Sequence, residues 1–511
     1  MLENLSMGFK ISLSFHNIIY CFIGCSLGTV IGVLPGLGPA ATIAMLITFT
    51  YKLDLISAVI MLSGIYYGAQ YGGTITSVLL KIPGEAATVV TIIDGNQMAQ
   101  KGEAGKALGI AAFGSFIAGT FGTIVLSVLA PPLSEFALKF GPPEYTSLMI
   151  LGLTLVIYLG GKSVIKAILM GAFGLALGTI GLDPVTSFER FTFGTQWLLD
   201  GVDMAILAMG IFGIGEILYM SERRVSGFSP YAVKCPEKLR ELLPNRKDWK
   251  ASMKPIGRGS VLGFLVGILP GGGAVVASFL SYAAEKKLAK NPERFGKGAI
   301  EGVAGPESAN NAAASGAFVP LLTLGIPSNV VMALLMGAFM IHGVTPGPFI
   351  LKERPDLFWG IITSMYIGNI ILLILNVPLI KIFVKIIEIP YVLLSPLIIF
   401  ICLIGAYSIN NKALDILLMI IFGFVGYLMR KFDYEAAPLM LAFVLGPMLE
   451  KSLRQSLVIS QGSPLIFLNR PISLALMAVT LLFVLSPIVT MFLKRHRFIS
   501  WNEQVRKTTG L

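Results

Sequence analysis

The sequence predicts an all-α polytopic membrane protein with about 10–12 transmembrane segments. It further predicts two pseudo-symmetric, inverted repeats, each with a re-entrant hairpin and a broken helix. Three observations carry this. The 511 residues are 55% hydrophobic and only 13% charged, about half the charged share of soluble domains. Apolar stretches of about 20 residues, long enough to cross a bilayer as helices, recur from end to end. Two Gly/Pro-rich motifs each occur twice, in the same order, in the two halves. Lipid admits only helices or closed barrels, and the alternating apolar–polar pattern of a barrel is missing.

Taken in order, clear spans cover residues 107–130, 145–160, 164–181, 205–220, 358–380, 391–407, 413–429 and 472–493. The organisation reads as an N-terminal repeat (1–220), a basic linker (221–258), a C-terminal repeat (259–494) and a tail (495–511). The linker holds ten basic residues against four acidic ones, so it and the basic tail are expected in the cytoplasm. The loop 182–204 holds one arginine and four acids and is expected outside. This loop pattern accounts for the net charge of +11 without a nucleic-acid partner. Cys21, Cys25, Cys235 and Cys402 show no metal spacing, and Cys21 and Cys25 read as small buried hydrophobes. No cleavable signal peptide is expected, because no small-residue cleavage site follows the first apolar stretch.

The segment 259–282 is apolar but interrupted by LPGGGA at 269–274, and basic residues flank it on both sides. With both flanks on one side it must enter, turn at the glycines and leave again. Twelve helical residues rise about 18 Å, enough to reach mid-membrane. The first half repeats the pattern. IGVLPGLGPAATIAML (31–46) matches VGILPGGGAVVASFL (266–280), with Pro35 on Pro270. YYGAQYGGTITSVLLKIPGEAATVV (66–90) matches NNAAASGAFVPLLTLGIPSNVVMAL (310–334), with Gly72 on Gly316 and Pro83 on Pro327.

Paired broken segments in corresponding halves point to a transporter site. A helix broken in mid-membrane exposes N–H groups at one half-helix and carbonyls at the other. The N-terminal end suits an anion, and the carbonyl end suits Na⁺ or H⁺. The candidate substrate- and cation-binding residues are therefore Gly36, Gly38, Gly271, Gly272 and Gly273 at the hairpin tips. Tyr66, Tyr67, Gly72, Gly73, Thr74, Pro83 and Gly84 join them from the first broken helix. Asn310, Asn311, Ser315, Gly325, Pro327, Ser328 and Asn329 come from the second. Adjacent amides such as Asn310 and Asn311 are costly in an apolar context unless paired. Ser328 and Asn329 are placed to cap the half-helix that follows. Na⁺ is expected, if anywhere, near the tips and breaks.

Structural readings stand beside these. Small residues in membrane helices serve close packing, and Tyr66 and Tyr67 also read as aromatic fillers. Glu85 and Glu307 read as interfacial or capping acids, with a cation path as the other reading, and His342 reads as packed. Enzyme signatures are lacking. GGKS at 160–163 resembles the end of a phosphate loop, but Val156 stands where glycine is needed. His16, His342 and His496 are far apart and make no zinc signature. No cofactor is expected beyond a coupling ion. An ion channel, or a membrane protein without coupled transport, is the alternative.

The stretches GVLPGLGPA (32–40), 66–95, 267–287, FGKGAIEGVAGPESANNAAASGAFVPLLTLGIPS (295–328) and MIHGVTPGP (340–348) resemble the large membrane subunit of the tripartite tricarboxylate transporter family. The resemblance spans nearly the whole chain. It implies a permease of the bacterial inner membrane that works with a small membrane subunit and a periplasmic substrate-binding protein. It further implies secondary, cation-coupled symport of carboxylates such as citrate, by an elevator-like movement.

Overall fold

A computed structural model describes residues 2–34, 38–159, 163–183, 186–222, 239–387 and 391–485. Its helices are α1 (Leu2–Ser12), α2 (Phe15–Val33), α3 (Pro39–Ile47), α4 (Leu55–Leu80), α5 (Ala104–Ala137), α6 (Pro142–Leu159), α7 (Val164–Gly178) and α8 (Met204–Glu222). There follow α9 (Arg246–Ile268), α10 (Gly273–Leu288), α11 (Glu301–Gly316), α12 (Phe318–Leu324), α13 (Val330–Ile341), α14 (Pro355–Asn376) and α15 (Ile380–Ile387). The last are α16 (Tyr391–Asn410), α17 (Ala413–Lys431), α18 (Ala436–Ile459) and α19 (Pro471–Leu485). A composite arm of short helical pieces runs over residues 86–100.

Among the described residues, seven helices are long and apolar enough to cross a membrane. The fold is all-α and polytopic, as the sequence predicts. The sequence reading does not single out α18, because Glu450, Lys451 and Arg454 crowd its far end. The basic stretch also ends in helix: α9 starts at Arg246 under a capping box, with Asn245 and Asp248 each accepting the other's backbone N–H. Outside the described residues lie 223–238 of the expected linker (with Cys235), the tail 495–511 (with His496), the end of the last expected span, Gly160–Lys162 of the GGKS stretch, and Pro35–Leu37 of the first tip.

Glycines set how the helices pair. A β-carbon on Gly24, Gly28 or Gly32 of α2 would lie 2.1–2.4 Å from the carbonyl oxygens of Met61, Ile65 and Ala69 of α4. Both series ascend, so α2 and α4 run parallel at backbone contact. In the second half, Gly259, Gly263 and Gly267 of α9 meet the carbonyls of Gly305, Ala309 and Ala313 of α11 in the same manner. Two consecutive parallel helices require the chain between them to return, and α3 and α10 are those return arms. Each pair with its return arm is a helical hairpin followed by a long helix.

The two hairpin–helix units point in opposite directions. α5 runs parallel to α11, since Gly114 meets Ser308 and Gly122 meets Ser315. α14 runs antiparallel to α5, with Gly119 against Asn369 and Ser127 Oγ 3.1 Å from Tyr366 Oη. α14 in turn runs parallel to α2, with Cys21 over Ser364 and Cys25 over Gly368. The α2–α4 pair is therefore antiparallel to the α9–α11 pair. One end of the bundle gathers the acidic loop, where Lys412 pairs with Asp200 at 2.9 Å and Arg190 and Arg454 clasp Asp183 and Glu450. The other end gathers the basic segments, with Lys431 on Glu222 at 2.6 Å and Arg258 on Glu285. The core sits where α4, α11–α13 and α14 meet, around the fully buried Phe318, Phe339, Phe358 and Trp359. α4 is buried on nearly every side, as expected of a helix apolar all round.

Candidate functional site

α11 has the sequence EGVAGPESANNAAASG and is buried from Gly302 to Gly316. Its small side chains let α5, α9 and α10 approach closely, and leave Glu307, Asn310 and Asn311 as the large polar groups of its buried stretch. Glu307 is fully buried. Its carboxylate accepts from Thr74 Oγ1 of α4 at 2.8 Å, from Thr91 Oγ1 of the 86–100 arm, and from Asn310 Nδ2 at 3.3 Å. Three neutral donors from three segments thus converge on one acid. Asn311 Nδ2 lies 2.7 Å from Asn310 Oδ1 and 2.8 Å from Ser115 Oγ of α5. The adjacent amides are paired, as burial demands.

The two breaks share a local geometry. α4 stops at Lys81 (φ 59°) and α12 stops at Gly325 (φ 69°), both left-handed. Each stop is followed by Ile-Pro. Glu85 then caps the first arm by accepting from Ala87 N at 2.8 Å, and Asn329 caps α13 by accepting from Met332 N at 3.0 Å. Both loops fold back on their own hairpin. Gly84 packs against the Gly32 carbonyl and Gly73 with no room for a side chain. The Gly271 N–H donates to Ser328 O at 2.9 Å. Asn329 Nδ2 donates to Tyr66 Oη at 3.3 Å, which ties the second break to α4. Gly38 and Gly273 open the return arms α3 and α10, and a β-carbon on either meets nothing within 4 Å among the described residues.

The structure gathers Thr74, Asn310 and Asn311 around Glu307, sets Gly73 against Gly84, and joins Gly271 to Ser328 and Asn329 to Tyr66, with Pro83 and Pro327 inside the break loops. It places Gly72 against Thr29, Ser315 against Gly122, Gly272 against Val266 and Gly325 against Pro346, all in packing contacts. Tyr67 is buried beside Phe318, with ring centroids 5.8 Å apart. Gly36 lies outside the described residues. The central acid, Glu307, is the residue the candidate site omits; the signal available was a carboxylate inside an otherwise small-residue run. Among the described residues, no group of three or more His, Cys, Asp or Glu is placed to hold a metal ion.

A cavity of about 410 Å³ opens toward the acidic end, between α3, α8, α13, α17 and α18. Its lining includes Ile47 from α3, Gly337 and Met340 from α13, and Asp203, Lys412 and Asp415 at the rim. Asp203 caps α8, and Asp415 accepts from Asn410 Nδ2 at 3.0 Å, so these acids are structurally engaged.

A multi-pass helical bundle with paired broken helices around a buried polar centre is the architecture of a membrane transporter. The sequence model of the tripartite tricarboxylate transporter TctA family matches residues 18–441, and the chain belongs to that family. It is a family of transporters, not of enzymes. An uncharacterised 52.8 kDa protein of Agrobacterium vitis, from the TAR-I ttuC' 3' region, is 51% identical over 481 residues, covering 94% of this chain and 95% of the relative. A second uncharacterised protein of Agrobacterium vitis, from the TAR-II ttuC' 3' region, is 55% identical over 223 residues, covering 44% of this chain and 92% of the relative. No solved structure matches the chain.

Proposed function

We propose that this chain is the permease subunit of a three-component importer, carrying a citrate- or tricarboxylate-like anion by cation-coupled symport. The observation that carries the reading is the position-by-position likeness of the two breaks. Left-handed stop, Ile-Pro and side-chain cap recur 244 residues apart (Lys81 and Gly325, Glu85 and Asn329), on helices that run in opposite directions. This supports inverted repeats over 1–220 and 259–494, joined by the linker 221–258.

In this reading the anion sits at the start of α3 and α10, where Gly38 and Gly273 leave space and free N–H groups favour negative charge. Asn310, Asn311 and Asn329 fix the surrounding polar geometry, and Na⁺ or H⁺ binds nearby. The basic end faces the cytoplasm of a bacterial inner-membrane cell. A periplasmic binding protein delivers substrate to the acidic end, through the 410 Å³ cavity, and a small membrane subunit completes the complex. An elevator-like displacement of the hairpin units exposes the site to each side in turn.

The test is uptake by the reconstituted three-component complex, using a panel of di- and tricarboxylates under imposed Na⁺ and pH gradients. Saturable uptake that needs a gradient and the binding protein supports the reading. Flux that follows voltage without saturation overturns it in favour of a channel.

A further inference from the structure

We infer that Glu307 is the residue that takes up and releases a coupling proton. This rests on the transport reading above and deepens it. The hydrogen count at the site is the first ground. Thr74 Oγ1 lies 2.8 Å from Glu307 Oε2 and 3.2 Å from the carbonyl oxygen of Gln70 one turn back. A hydroxyl has one hydrogen. If it serves Gln70, in the back-bond common for helical threonine, the Glu307 contact requires a hydrogen on the carboxyl. If it serves Glu307, the acid is a carboxylate. The same heavy-atom frame therefore accepts both forms with one hydroxyl rotation.

The second ground is access. A cavity of about 10 Å³ adjoins the site, lined by Tyr71, Thr74, Ser115 and Asn376. That volume admits about one water-sized probe. Tyr71 Oη and Asn376 Oδ1 are buried there with no hydrogen-bond partner among the described residues. Unpaired polar atoms beside a one-water space are the elements of a short proton relay.

The third ground is coupling. Glu307 joins α11 to α4 and to the arm beyond the first break, so its charge bears on how the two hairpin units hold together. The titratable groups facing it are Tyr71 on α4 and Glu85 in the first break. α5 contributes Ser115, and on α10 Glu285 is occupied by Arg258. Among the described residues no basic side chain is paired with Glu307. The step balances simply: hydronium gives its proton to the carboxylate, forming a carboxyl O–H and leaving water.

The test is infrared difference spectroscopy of the purified full chain in nanodiscs, stepped from acidic to alkaline buffer, with NaCl and choline chloride compared. The wild type is expected to lose a carboxyl C=O band on alkalinisation, and Glu307→Gln to lack that band. A pH-dependent band that keeps its full wild-type amplitude in Glu307→Gln, or one that answers to Na⁺ and not to pH, overturns the inference. Should Glu307→Gln not give monodisperse protein, Thr91→Val serves instead. It removes one donor to the carboxylate and is expected to move the band's pH midpoint upward, and an unmoved midpoint overturns the inference. This arm uses no substrate, so it decides on Glu307 independently of the uptake assay that decides on transport.

Discussion

At the scale of single residues, Asn310 and Asp94 show how polar groups are made affordable in an apolar bundle. Asn310 donates one amide hydrogen to Glu307, and its oxygen accepts from Asn311. Asn310→Ala is expected to lower carboxylate uptake about tenfold, the equivalent of one lost charge-assisted bond of about 1.4 kcal/mol, while the folded yield on size exclusion is kept. Unchanged uptake kinetics remove Asn310 from the site. Asp94 accepts from the backbone N–H groups of Gly296, Gly298 and Ala299 at 2.7–2.9 Å, and from Tyr282 Oη at 2.9 Å. Asp94→Ala orphans all of them and is expected to cost about 2–4 kcal/mol, read as a lower unfolding temperature. The asparagine pair was legible in the sequence, because adjacent amides inside a run of alanines need a reason. Asp94 was not, because its partners lie about 200 residues away in sequence; Glu307 stood out as a carboxylate in a small-residue run, but its meeting with Thr74 and Thr91, more than 200 residues away, was not legible. Asp94-Gly95 reads locally as a solvated turn, yet Asp94 is fully buried.

At the scale of elements, glycine spacing decides which helices touch. A β-carbon on Gly263 would lie 2.1 Å from the Ala309 carbonyl oxygen, whereas one on Gly257 of the same helix meets nothing within 4 Å. Gly263→Ala is therefore expected to destabilise by about 1–3 kcal/mol. Gly257→Ala is expected to stabilise by about 0.5–1 kcal/mol through helix propensity. Thermal unfolding of the two variants checks both signs, and equal shifts contradict the packing. The breaks were legible because glycine and proline punctuate the backbone whatever surrounds them. The parallel course of α2 with α4, and of α9 with α11, was not legible, because it rests on glycine-to-carbonyl contacts between separate helices. α18 was not legible, because span recognition weighs charge and its far end carries an ion cluster whose partners lie in the acidic loop.

At the scale of the whole molecule, the account makes the two hairpin units opposite in direction, so the loops at their ends face opposite sides of the membrane. Lys290→Cys, between α10 and α11, and Lys52→Cys, between α3 and α4, each exposed and placed in a Cys235→Ser background, are expected to react with a membrane-impermeant maleimide from opposite sides only. Labelling of both from one side contradicts the topology. The fold class came from composition and recurring apolar stretches, which one sequence carries. The convergence of the halves on Glu307 is a product of packing at backbone contact, and local sequence holds no record of it.

The most direct measurement concerns the space at the starts of α3 and α10. Gly38→Cys and Gly273→Cys (the latter at a φ of 54°, a strain of about 1–2 kcal/mol) are labelled in vesicles of the full complex, with and without each di- and tricarboxylate of the panel. The account predicts that one and the same carboxylate slows labelling at both cysteines over the same concentration range. Protection at one cysteine alone, or at neither by any carboxylate that the complex transports, contradicts it.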